Sequence, residues 1–73
     1  MNKNQIIGIW LKEKRKKANI RQSEVNERFK KSPTWISDIE RGYNRVILED
    51  AIGLCELYDC SLNELYQILH KEK

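Results

Sequence analysis

The 73-residue chain predicts an all-α fold, a bundle of five short helices. Three observations carry this reading. Apolar residues recur every three or four positions almost throughout, and no stretch keeps the period-two alternation of a half-buried strand. Start and stop signals punctuate the chain: Ser32-Pro33, Gly42 and Ser61. The length supports one domain, residues 1–73, whose core is small enough to gain from a partner subunit.

The first helix is expected over Asn4–Lys17. Ile7, Leu11 and the stem of Lys14 fall on one face, and Ile6 and Trp10 on a neighbouring one. The basic run Lys14-Arg15-Lys16-Lys17 complements the negative end of the helix dipole. Asn19 suits the left-handed residue that ends it. The second helix is expected over Gln22–Phe29, with Val25 and Phe29 inward, and Lys30-Lys31 as the turn. Ser32 reads as a cap and Pro33 as the first position of a third helix, Pro33–Arg41, that stops at Gly42. Ile36 and Ile39 point inward. Tyr43, Asn44 and Arg45 form a loop. A fourth helix over Leu48–Tyr58 is expected to bury Leu48, Ala51, Ile52, Cys55 and Tyr58. After Asp59-Cys60, Ser61 caps a fifth helix, Leu62–Leu69. Glu64 stands at its capping-box position, and its apolar face is Leu62, Leu65, Tyr66 and Leu69.

Residues 20–42 therefore hold two short helices joined by a turn too short for anything but a fixed crossing, which lets the second helix stand proud and enter a DNA major groove. Charge agrees with that placement. Residues 1–45 carry 12 Lys and Arg against 5 Asp and Glu, a net of +7; residues 46–73 carry 2 against 6, a net of −4. A localised positive field is the footprint of a polyanion site.

Other classes are disfavoured. No Ser/His/Asp or Cys/His constellation is expected, because the sole histidine, His70, lies near the C-terminal end, and there is no phosphate loop, so no enzyme, cofactor or small-molecule substrate is expected. Cys55, Cys60 and His70 have no metal-ligand spacing. Both cysteines read as small buried apolar residues of a reducing cytoplasm. No apolar run approaches a membrane span.

Several residues together carry a likeness. They are Ile7-Gly8, Leu11 and Arg15; Ile20, Gln22, Glu24 and Val25; Ser32; Ile36-Ser37; Ile39-Glu40-Arg41-Gly42; and Ser61-Leu62-Asn63-Glu64-Leu65. The string Ile-Ser-x-Ile-Glu-Arg-Gly followed by Ser-Leu-x-Glu-Leu resembles the lambda-repressor-like (Cro-type, XRE family) helix-turn-helix domains. The likeness runs from Ile7 to Leu65, with the helix-turn-helix unit at about 21–41 and the last two helices at about 48–69. It implies a five-helix fold that binds double-stranded DNA, usually as a homodimer. It also implies that Pro33, Thr34 and Asp38 read bases with Trp35 and Ser37 beside them. Gln22, Ser32, Arg41, Tyr43, Asn44 and Arg45 would hold the DNA backbone. Arg15 and Glu40 match a structural ion pair. The chain departs from the pattern at Asn26, usually Ala; at Lys30, usually the turn Gly; at Lys14 and Lys31, usually aliphatic; and at Val46, usually Pro.

On the reading side, Thr34 offers a hydroxyl and a methyl, and Asp38 accepts only, which suits a cytosine amino group. No Arg, Lys, Asn or Gln stands among these residues, so shape readout and loop contacts from Arg41 and Arg45 are expected to add specificity. The expectation is a cytoplasmic transcriptional repressor of bacterial or phage type, dimeric on a palindromic operator, with Tyr66, Ile68 and Leu69 as the dimer contact. The alternative is a protein-interaction module on the same scaffold, antitoxin-like or inhibitory, working through exposed Trp35 and Trp10.

Overall fold

The computed structural model describes residues 1–71, which form five helices and no strand. They are α1 (Lys3–Lys17), α2 (Gln22–Arg28), α3 (Trp35–Glu40), α4 (Leu48–Tyr58) and α5 (Leu62–Lys71). The two elements of the crossing are short, seven and six residues. Helices of that length do not hold themselves in water, so α2 and α3 depend on what they pack against.

Local chemistry sets the ends. Asn2 opens α1 with a reciprocal cap: its Oδ1 accepts the Gln5 amide at 2.8 Å, and Gln5 Oε1 accepts the Asn2 amide at 2.9 Å. Four helices close the same way. Asn19, Lys30, Gly42 and Asp59 take left-handed backbone, with φ of 61°, 55°, 81° and 57°. The next amide then reaches back five residues: Ile20 to Arg15, Lys31 to Asn26, Tyr43 to Asp38 and Cys60 to Cys55. These are Schellman closures, which satisfy carbonyls that the helix end leaves free. At Asn19, Lys30 and Asp59 the left-handed backbone costs roughly 1 kcal/mol each relative to glycine. Gly42 avoids that cost, and an added Cβ there would also lie 2.8 Å from Gln5 Cγ.

The core is Trp10, Leu11, Val25, Ile36, Ile39, Leu54, Cys55, Tyr58 and Leu65. The broadest helix contact is α1 on α3. Gly8 permits it: a Cβ there would meet the carbonyl oxygens of Ile39 and Glu40, the latter at 2.7 Å.

Several expectations are corrected. Trp10 is a core residue, 4% exposed, not a surface one. Its indole N–H is buried beside Glu64 without a well-formed hydrogen bond. In α4 the buried stripe is Ala51, Leu54, Cys55 and Tyr58, so Leu48 (70% exposed) and Ile52 face out. The stripe is centred on 51, 54, 55 and 58, and rotation by about 100° per residue carries Leu48 and Ile52 to its flank. Glu64 does not complete a capping box. Ser61 Oγ accepts the Asn63 amide at 3.1 Å, while Glu64 reaches Lys14 Nζ at 2.6 Å. Cys60 is only half-buried, whereas burial and contact with Cys60 push the Cys55 thiol up to about 12.

Candidate nucleic-acid interface

A charged clamp fixes the base of the crossing. Arg15 Nε donates to Glu40 Oε2 at 2.7 Å and its Nη2 to Oε1 at 3.2 Å, while Nη1 donates to the Ile20 carbonyl at 2.8 Å. Gln22 Nε2 donates to Glu40 Oε1 at 2.9 Å. One carboxylate thus joins the end of α1, the start of α2 and the end of α3. Both charges are largely removed from water, and each has hydrogen bonds to offset its lost hydration. The bonds to Glu40 hold the Arg15 guanidinium charged. Gln22, expected on the DNA backbone, therefore has its amide nitrogen turned toward Glu40.

The turn between α2 and α3 is built around Asn26, which is buried. Its Oδ1 accepts the Ile36 amide at 2.9 Å, and its Nδ2 donates to the Pro33 carbonyl at 2.9 Å. The expected start of the third helix is corrected accordingly. Ser32 does not cap it and Pro33 is not its first residue. The Trp35 amide bonds the Ser32 carbonyl at 3.1 Å, so residues 32–34 are a turn and α3 starts at Trp35. Thr34 precedes it with no side-chain cap. The buried amide of Asn26 supplies from α2 the acceptor that a capping side chain would have supplied locally.

Pro33 and Thr34 stand exposed on this turn, followed by half-buried Ser37 and Asp38. Ser37 Oγ donates to the Thr34 carbonyl at 2.9 Å. Trp35 is not the exposed ring expected. It is half-buried against Phe29, with ring centroids 5.4 Å apart. Lys31 covers it, its Nζ 5.4 Å from the ring centroid and 3.6 Å from Asp50 Oδ2. Lys31 thus faces solvent rather than filling an aliphatic site.

Beyond α3, Arg41, Tyr43, Asn44 and Arg45 are all exposed, Tyr43 at 72%. The Tyr43 and Asn44 amides both point back to the Asp38 carbonyl, at 2.9 and 3.4 Å, which ties this loop to α3. Two exposed polar segments, 32–34 and 41–45, thus lie at the two ends of α3. On α5, Tyr66 is 59% exposed, and Ile68 and Leu69 pack partly on the core.

Reading the sequence missed the part played by Asn26. A signal was present: Asn26 stands next to inward Val25, close to the crossing, and a polar residue buried there must find partners.

The fold and this surface define a helix-turn-helix DNA-binding domain. A helix-turn-helix family model matches residues 11–65, most of the chain. The chain belongs to that family, the lambda-repressor-like, XRE-type helix-turn-helix domains, and is a DNA-binding regulator of this type. The family is one of regulatory domains, not enzymes. No curated relative and no solved structure matches the chain. No helix among the described residues is long and apolar enough to cross a membrane.

Proposed function

We propose that this protein is a sequence-specific repressor that binds a palindromic operator as a homodimer. The observation that carries the reading is the pair of exposed polar segments at the ends of α3, in the half of the chain that holds the net +7 charge. In this reading Pro33, Thr34 and Asp38 face base edges, flanked by Ser37 and by Trp35, which braces the turn. Ser32, Arg41, Tyr43, Asn44 and Arg45 hold phosphates on either side, Gln22 adds the amide hydrogen that its bond to Glu40 leaves free, and Arg41 and Arg45 supply the positive charge. Two-fold symmetry makes the operator palindromic, and half-sites about one helical turn apart put both recognition helices on one face of the duplex.

The proposed dimer contact is α5. Tyr66 is exposed, and Ile68 lines a shallow groove of about 200 Å³ with Met1, Ile6, Ile9, Trp10 and Glu13. The protein-interaction alternative has lost its supporting observation, because Trp10 is in the core and Trp35 packs on Phe29.

Selection from random double-stranded DNA, followed by fluorescence anisotropy at two salt concentrations, tests this reading. Enrichment of a palindrome is expected, with affinity falling by orders of magnitude between roughly 50 and 200 mM salt. Sequence-blind binding would overturn it, whatever its salt slope, because non-specific attraction to phosphate is itself salt-dependent.

A further inference from the structure

We propose that Asn26 is a positioning residue for base recognition: it holds the Pro33–Ile36 segment in the conformation that presents Pro33 and Thr34. The assignment rests on the operator-binding reading above.

Three observations converge. First, α3 is six residues long and Thr34 gives it no side-chain cap, so no neighbouring side chain in the turn receives the free Ile36 amide at its start. Second, one buried amide grips that turn at both ends, accepting from Ile36 and donating to Pro33, each at 2.9 Å. The two partners demand opposite ends of the amide, so a flipped side chain would set donor against donor and acceptor against acceptor. Third, Asn26 is itself anchored, because its own carbonyl accepts the Lys31 amide at 2.9 Å in the closure of α2. The polar groups of the turn that carries the exposed residues are thus referred to the frame of α2 through Asn26, beside the apolar packing of Trp35 on Phe29. Asn26 touches no base in this arrangement; it acts through Pro33 and Thr34. An alanine at 26 would leave an amide and a carbonyl to find new partners, and the short segment between them would be free to shift. Displacements of that kind degrade discrimination between bases while leaving phosphate attraction, supplied by Arg41 and Arg45, in place.

The test uses Asn26→Ala and Asn26→Asp in the full chain. Asp keeps an acceptor for the Ile36 amide and removes the donor to Pro33. The reading is the ratio of affinities for the selected operator and for operators with single-base changes, well below each variant's unfolding temperature. The ratio cancels any uniform effect of the added charge. The ratio for Asn26→Ala is expected to fall about fivefold or more, the scale of one lost cap, with an unchanged salt slope. Asn26→Asp is expected to lose discrimination mainly at the bases beneath Pro33 and Thr34. It should also retain the hydrogen-bonded Ile36 amide in ¹H–¹⁵N spectra. If Asn26→Ala does not fold, Asn26→Asp decides. Lower stability with an unaltered ratio would make Asn26 merely structural and overturn the assignment. Sequence-blind binding by the wild-type chain would overturn the operator reading and this assignment with it. Specific wild-type binding with unaltered ratios in the variants would overturn this assignment alone.

Discussion

Arg15 and Glu40 meet as two parallel forks, with Nε to Oε2 at 2.7 Å and Nη2 to Oε1 at 3.2 Å, across 25 residues of chain. Gln22 closes on the same carboxylate, so three helix ends are referred to one side chain. Removing Glu40 leaves the guanidinium buried and uncompensated. Glu40→Ala is expected to cost about 3–5 kcal/mol, a large part of what a domain of this size has. Urea denaturation measures it, and an unchanged midpoint would contradict the assigned role of the pair.

Gly8 is set by contact rather than by backbone angle. Gly8→Ala would drive a methyl into the Ile39 and Glu40 carbonyls and lift α1 from α3. The expected loss is about 1–3 kcal/mol, as for overpacked cores. Thermal unfolding reads it, and a variant as stable as the wild type would show that the helices separate without cost.

Acid sensitivity is expected at Glu64. The hydrogen bond from Lys14 holds its carboxyl below the ordinary value of 4.5. The unfolded chain then binds the proton more readily, so the pair's contribution is present above pH 4.5 and is lost as pH falls through the lower, folded value. The pair is partly solvated, and the effect is small. Glu64→Gln should flatten the decline of stability below pH 4.5 relative to the wild type, read as Tm against pH.

Alkaline sensitivity has a different origin. Burial pushes the Tyr58 hydroxyl well above its ordinary value of 10.0, with Glu40 adding to the effect. Its stabilising contribution is complete below pH 10 and is lost as pH rises beyond it. The hydroxyl is also buried without a hydrogen-bond partner among the described residues. Tyr58→Phe removes both liabilities. It should be at least as stable as the wild type at pH 7, by up to about 1 kcal/mol, and should lose less stability above pH 10. A marked fall in Tm at pH 7 would reveal a partner for the hydroxyl.

In the proposed reading Arg45 contacts phosphate rather than a base. Arg45→Ala is expected to lower the slope of log affinity against log salt by about one unit, with operator preference retained. Loss of preference at constant slope would place Arg45 at a base instead.

Much of the helix pattern was legible from neighbours in sequence. The left-handed turn at Asn19, the stop at Gly42, the Ser61 cap and the inward pairs Val25 with Phe29 and Ile36 with Ile39 each depend on residues within about one helical turn. The start of α3 was not legible. Ser32-Pro33 is a sound local start signal, but a side chain seven to ten residues upstream took over the cap. In α4, Leu48 and Ile52 are as apolar as Leu54, and periodicity alone did not say which side of the stripe would meet α1 and α5.

The same division holds across the protein. Helix number and order, the left-handed stops at Asn19 and Gly42, the helix-turn-helix spacing and the basic first half are local or additive properties, and such properties can be read along a chain. The burial of Trp10, the bracing of Trp35 by Phe29 and Lys31, the diversion of Glu64 to Lys14 and the grip of Asn26 on the turn were decided by the tertiary structure. Each is a choice among partners of similar chemistry, and only packing determines which partner lies within reach.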